Sequence, residues 1–116
     1  MSTGKTIQAV FFQSDSGSEP VKDWLRGLLP QEKKAIGDDI KTAEFGWPIG
    51  MPVCRNLHGG IWEIRTNLEK KIARVFFCVD DGRMYLLHGI IKKSQKTPKE
   101  ALELARKRKR RLFNER

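Results

Sequence analysis

The chain has 116 residues and a formal net charge of +9, with 32% of its residues charged and 39% hydrophobic. Such a length and mix suit one globular domain spanning 1–116, with a core that needs neither disulfides nor a structural metal, and they exclude a disordered chain. No apolar run approaches the roughly 18 residues of a membrane helix. The opening MSTGKTIQAVFF also lacks the basic flank, apolar core and small-residue cleavage site of an export signal, so a cytoplasmic protein is expected.

The charge is unevenly spread. Residues 92–116 hold eleven Lys or Arg against three Glu, a net of +8, whereas residues 1–91 carry only +1. Such a field attracts a polyanion and gains from release of its counterions, although a basic helix can also serve solubility alone. Cys54 and Cys78 stand apart, without CxxC or His spacing, and are expected to be small buried apolar residues rather than metal ligands.

In chain order, residues 6–12 (TIQAVFF) are rich in β-formers and end at a Ser/Asp/Gly cluster, which predicts a first strand. Ser18 is the expected cap of a short helix, with Glu19 and Pro20 in its first turn. Val21, Trp24, Leu25 and Leu28 then form one apolar stripe, and Gly27 and Pro30 end it. A second helix is expected over 31–45, with Ile36, Ile40 and Ala43 inward, stopped by Gly46, Trp47 and Pro48. The tight join predicts an antiparallel helical hairpin.

After a Pro- and Gly-rich stretch with a short strand near 53–57, the periodicity becomes two. Strands are expected over 61–66, 72–79 and 84–92, and their short connections, one carrying Asp81-Gly82, make them antiparallel neighbours. Thr97, Pro98 and Glu100 have the spacing of a capping box at the start of a last helix.

Alternation then sorts the strand residues by face. Trp62, Ile64, Ala73, Val75, Phe77, Val79, Tyr85, Leu87, Gly89 and Ile91 form a nearly wholly apolar set, expected against the helices. The other set holds Glu63, Arg65, Arg74, Phe76, Cys78, His88 and Lys92 among Ile61, Ile72, Leu86 and Ile90. That face is a poor core and a candidate site. Arg65 and Arg74 could instead form cross-strand ion pairs with Glu63 or Asp81, and a lone strand histidine such as His88 is often structural. Ser94, Thr97 and Thr66 have no His-plus-acid neighbourhood for nucleophilic acyl chemistry. The glycines match no phosphate-loop pattern, and metal catalysis would need more carboxylates or imidazoles in one place. What remains is a cationic surface fitted to phosphate.

The stretches LHGGIWEIR, IARVFFCV and LLHGIIKKSQKTPKEALELARKR, with EFGWPIGMP upstream, resemble the HigB branch of the RelE/ParE toxin superfamily, which includes many phage-derived proteins. The similarity covers roughly residues 7–110 and is most specific in HGIIKKSQKTPKE. It implies an α+β fold of the RelE type: an N-terminal strand, a helical hairpin, a curved antiparallel sheet and a C-terminal helix. It further implies the toxin of a type II toxin–antitoxin pair, with a helix-turn-helix antitoxin as partner. Such toxins enter the ribosomal A site and cleave bound mRNA by attack of the ribose 2′-hydroxyl, with no metal or small-molecule cofactor.

By position, Arg74 matches the strand arginine that the family aims at the scissile phosphate, and Arg65 would bind or orient the same group. Lys92 would aid proton transfer or charge stabilisation, with His88 or Glu63 as secondary catalytic candidates. Lys93, Lys96, Lys99, Arg106, Arg108 and Arg110 would contact RNA or the ribosome. The family's C-terminal tyrosine has no counterpart here, since no tyrosine follows Tyr85. The rival expectations are a ParE-like gyrase inhibitor that cuts no RNA, or an inactive protein that binds nucleic acid or its antitoxin.

Overall fold

The computed structural model describes residues 4–114. The chain runs β1 (Gln8–Phe11), α1 (Pro20–Arg26), α2 (Pro30–Gly46), β2 (Cys54–Asn56), β3 (Trp62–Leu68), β4 (Lys71–Asp80), β5 (Arg83–Lys92) and α3 (Lys99–Asn114). This is the expected α+β arrangement: a five-stranded open sheet, ordered β1-β5-β4-β3-β2, carrying three helices. Strands β2 to β5 are antiparallel neighbours, as their short connections require. β1 pairs with β5 in parallel. The remaining edge of β1 is blunted by Glu44, whose carboxylate accepts the Ala9 N–H at 2.6 Å. No helix among the described residues is long and apolar enough to cross a membrane.

Helices α1 and α2 lie on one face of the sheet over different strands, α1 mainly against β5 and α2 against β3. Ile36, Ile40 and Ala43 face inward as their spacing predicts, and they pack with Val21, Ile64, Ala73, Val75 and Phe77. Trp47, just past α2, meets Trp62 edge-on at 4.8 Å and Phe77 at 5.5 Å. Cys54 and Cys78 are buried thiols, as expected. Burial and the nearby Asp39 charge push the Cys54 thiol up to about 11, which keeps it unreactive at neutral pH.

Three local expectations are corrected. Ser18 does not cap α1: Glu19 precedes the helix with no side-chain cap, while the Ser18 hydroxyl bonds to Ser14 at 2.7 Å. Pro30 opens α2 rather than merely ending α1, because a proline at the first helical position loses no hydrogen bond. Thr97 makes no capping box either. Its hydroxyl donates to Glu63 at 2.8 Å, and α3 begins only at Lys99, after Pro98, whose carbonyl accepts Leu102 N–H.

A larger correction concerns the facing of β5. Phe76 pairs with His88 but Phe77 pairs with Leu86, so a β-bulge inserts Leu87 as an extra residue. The alternation is thereby shifted on the N-terminal side of the bulge. Leu86 and Met84 join the core under α1 and α2, whereas Leu87 and Tyr85, expected there, lie on the opposite face. That face is consequently no open polar surface. Phe76, Cys78, Leu87, Ile61 and Phe12 form a second core under α3, closed by Ala101 and Ala105.

Gly89, beyond the bulge, lets α1 approach the sheet. A Cβ there would stand 2.4 Å from two atoms of the Trp24 ring, and rings cannot yield as a flexible side chain does. Gly89→Ala should therefore cost about 1–3 kcal/mol of stability, read as a lower denaturant midpoint with altered Trp24 fluorescence.

Candidate functional site

Glu63, Arg65 and Arg74 meet on the α3 side of the sheet. The register sets Arg65 directly opposite Arg74, and Glu63 one step along the same face, opposite Phe76 on β4 and Arg55 on β2. Glu63 and Arg74 are both at 0% exposure. Arg74 Nε lies 3.3 Å from Glu63 Oε2, and Arg65 Nε 3.9 Å from Oε1. The carboxylate thus sits between two guanidiniums, the cross-strand pairing that the sequence left open beside a phosphate role.

The segment 93–98, which joins β5 to α3, crosses this cluster as a strap. Arg74 Nη2 donates to Ser94 O at 2.6 Å. Arg65 Nη2 donates to both the backbone carbonyl and the side-chain Oε1 of Gln95, each at 3.2 Å. Thr97 completes the closure on Glu63 Oε2. Within the strap, the Lys96 N–H donates to the Ser94 hydroxyl at 3.0 Å and folds the chain back. Even so, Glu63 Oε1, Arg74 Nε and Arg74 Nη1 have no hydrogen-bond partner among the described residues. Burial lowers the Arg74 pKa, Glu63 opposes that shift, and the neighbouring Arg65 and Arg55 charges add to it.

Of the other predicted residues, Lys92 is exposed at the end of β5, opposite Ile72, on the face of Arg74. His88 stands apart from the cluster. Its ring stacks on Phe76 at 6.0 Å, and its Nδ1 lies 3.5 Å from Arg108 Nη1. Burial, with the Arg108 charge, pushes its pKa down to about 4, so it is neutral at pH 7. Lys93, Lys96 and Lys99 are exposed on the strap and the start of α3, and Arg106 and Arg110 on the outer side of that helix. Arg108 instead turns inward, where it donates to Leu87 O at 2.8 Å and covers the Phe12 ring. Burial lowers its pKa.

The sequence-based site omitted Arg55, Ser94, Gln95 and Thr97. Arg55 could have been found by extending the alternation to the short strand β2, but the strap contacts link positions 20 to 34 residues apart and have no local signal. Among the described residues, no three His, Cys, Asp or Glu side chains gather where a metal could be held.

Removing one partner of the buried pair leaves the other charge uncompensated. Glu63→Ala should cost about 3–5 kcal/mol in denaturant unfolding, whereas the double change Glu63→Leu with Arg74→Met should recover most of that loss. His88 adds a pH dependence. Its pKa is 6.5 when free and about 4 when folded, so the unfolded chain binds the extra proton between those values. Its contribution is present in full above pH 6.5 and is lost as the pH falls through about 4, by up to about 1 kcal/mol per pH unit. Unfolding midpoints measured from pH 7 to pH 5 should fall less steeply for His88→Asn than for the parent.

With this geometry in hand, comparison with known proteins places the chain. Residues 23–110 match the family described as phage derived protein Gp49-like (DUF891), a span that takes in Glu63, Arg65, Arg74 and the whole strap. No curated protein matches the chain. The chain belongs to the phage-derived Gp49-like family (DUF891), a family of RelE/ParE-like toxins.

Proposed function

We propose that the protein is the toxin of a type II toxin–antitoxin pair of the HigB branch, a metal-independent endoribonuclease that acts in the cytoplasm on mRNA in the ribosomal A site. A helix-turn-helix antitoxin is its proposed inhibitor. The observation that carries this proposal is a trio of buried polar atoms that make ion pairs at most and no hydrogen bond among the described residues, donors on Arg74 beside an acceptor on Glu63. Unsatisfied buried groups are costly and call for a role. Donors matched to a phosphate oxygen, next to an acceptor for a hydroxyl proton, are what this cleavage requires.

In the reaction the ribose 2′-oxygen attacks the adjacent phosphorus, and the bond from phosphorus to the 5′-oxygen breaks. A 2′,3′-cyclic phosphate and a 5′-hydroxyl result; the 2′ proton goes to a base and the leaving oxygen takes one from the Lys92 ammonium or from water. Arg65, at 17% side-chain exposure, and Lys92 at the rim meet the phosphate first. Arg74 reaches a non-bridging oxygen when the strap lifts and Ser94 O is exchanged for phosphate. Glu63 Oε1 is then the acceptor for the 2′ proton. His88, neutral at pH 7 and held against Arg108, is the weaker candidate. Lys93, Lys96, Lys99, Arg106 and Arg110 contact RNA backbone, and Arg108 acts from within by holding α3 to the sheet.

A second reading, a ParE-like toxin that binds gyrase and cuts nothing, is favoured by one observation. Arg74 is completely buried and already bonded to Ser94 O, as a purely structural arginine would be.

Expression in cells, with sequencing of mRNA ends, separates the two. The parent should arrest growth and yield ribosome-dependent fragments in codon register. Arg65→Ala and Arg74→Ala, verified as folded by circular dichroism, should lower cleavage by about 10²-fold or more. Undiminished cutting by both variants overturns the residue assignment, and a DNA-damage response without mRNA fragments selects the gyrase reading.

A further inference from the structure

The tip of the β2–β3 hairpin and the outer side of α3 meet outside the strap. His58, Gly59 and Gly60 adopt φ angles of 71°, 66° and 82° in succession, a left-handed run that glycine alone adopts freely. Leu57 N–H and Ile61 N–H are satisfied within the turn, donating to Ile61 O and His58 O. The N–H groups of Gly59 and Gly60 donate no hydrogen bond among the described residues. α3 brings Arg106, Lys109 and Arg110 to this turn, and with Gly59 they line a hollow of about 130 Å³.

The fit is close and electrically unbalanced. A Cβ on Gly60 would stand 2.9 Å from Lys109 Cε and 3.3 Å from its Nζ, so the absence of a side chain there seats the lysine. Arg106, Lys109 and Arg110 have i, i+3 and i+4 spacing, at which like charges repel. None of the three is in an ion pair among the described residues, and no carboxylate lines the hollow. Consecutive free amides and arginine forks are both suited to phosphate oxygens.

We infer that this hollow is a phosphate site that takes a backbone phosphodiester of single-stranded RNA, apart from the Glu63–Arg74 pair. Its volume lies well below the roughly 300–1,000 Å³ of small-molecule pockets, so it accommodates one anionic group rather than a whole nucleotide. Arg106 and Arg110 also line a neighbouring hollow of about 470 Å³ with Lys107 and Glu103. The positive surface therefore continues along the helix, which suits a strand better than a lone ion. The inference rests on the RNA-directed function proposed above, but its test needs no cleavage.

The probe is a short 2′-O-methyl oligoribonucleotide, which has no 2′-hydroxyl to react. Its affinity for the full chain is measured across a salt series while the Gly59 and Gly60 amide resonances are followed. The double variant Arg106→Gln with Arg110→Gln should weaken binding about tenfold or more and lower the log–log salt slope by about 0.7–1. Gly60→Ala should weaken binding at unchanged net charge, by displacing Lys109. Both glycine amides should shift in the parent and stay still in the double variant. Unchanged affinity and slope overturn the site, as do silent glycine amides, which would mean diffuse attraction to α3 alone. Saturation by inorganic phosphate that the oligonucleotide cannot reverse, or displacement of the oligonucleotide by an acidic peptide binding more tightly, overturns the RNA assignment. A protein that binds in the expected way yet yields no mRNA fragments keeps the site and loses the endonuclease function. Normal cleavage with no glycine response does the reverse.

Discussion

Glu63 has no exposed surface, and a carboxylate in the middle of a sheet has to be compensated where it stands. Arg74 supplies the opposing charge from the neighbouring strand, Arg65 approaches from two residues along the same strand, and Thr97 donates a hydroxyl from across the face. The last of these contacts has the longest reach. It draws the chain after β5 over β4 to β3, and so decides where α3 starts. Once the strap lies there, Ser94 and Gln95 present carbonyls to the two arginines, and the helix returns over Phe76 and Leu87 to close the second core. A polar cluster and an apolar layer on one face are thus tied together by one buried acid.

The bulge at Leu87 works in the same direction. Without the extra residue, β5 would keep Leu87 and Tyr85 under α1 and α2 and turn Leu86 and Met84 toward α3 instead. With it, the sheet presents an apolar set to each side of its middle, and the freed Leu87 carbonyl receives Arg108. Arg108 then anchors α3 from within, covering Phe12, while Arg111 pairs with Asp15 near the far end of the helix. Two members of the basic run therefore act as fasteners, and Arg106, Lys107 and Arg110 are left facing outward.

The distribution of charge over the molecule has a corresponding logic. The first ninety-one residues are nearly balanced, and acids such as Glu32 and Glu44 are spent locally: Glu32 accepts the Leu29 N–H at the start of α2 and pairs with Lys71, while Glu44 guards the edge of β1. Few carboxylates remain near α3 and the hairpin tip. A surface that leaves its cations uncompensated stores repulsion that a polyanion relieves. The Glu63–Arg74 pair differs in that each charge meets an opposite one inside the protein, with three polar atoms left without a hydrogen bond among the described residues. In the proposed function the two sites would take different parts of one task, holding a strand and acting on one of its phosphates.

Much of this could be read along the chain. Period-two and period-3.6 patterns located the strands and helices to within a few residues, the isolated cysteines were recognisable as buried, and the face shared by Glu63, Arg65 and Arg74 followed from alternation. These properties depend on neighbours a few positions away, so local order alone determines them. Tertiary structure decided the rest. Gly89 is the one local hint of an irregularity near Leu87, but a strand glycine equally marks a close approach such as that of Trp24, and the facing of Tyr85 and Leu86 turns on how β5 meets β4. The parallel pairing of β1, the inward turn of Arg108 and the capture of Thr97 by a carboxylate 34 residues away are likewise set by partners distant in sequence. Alternation could say that Arg74 shares a face with Glu63. Whether that face met solvent or a strap depended on where the chain returned, and the return was governed by the burial of an acid that only the assembled sheet creates.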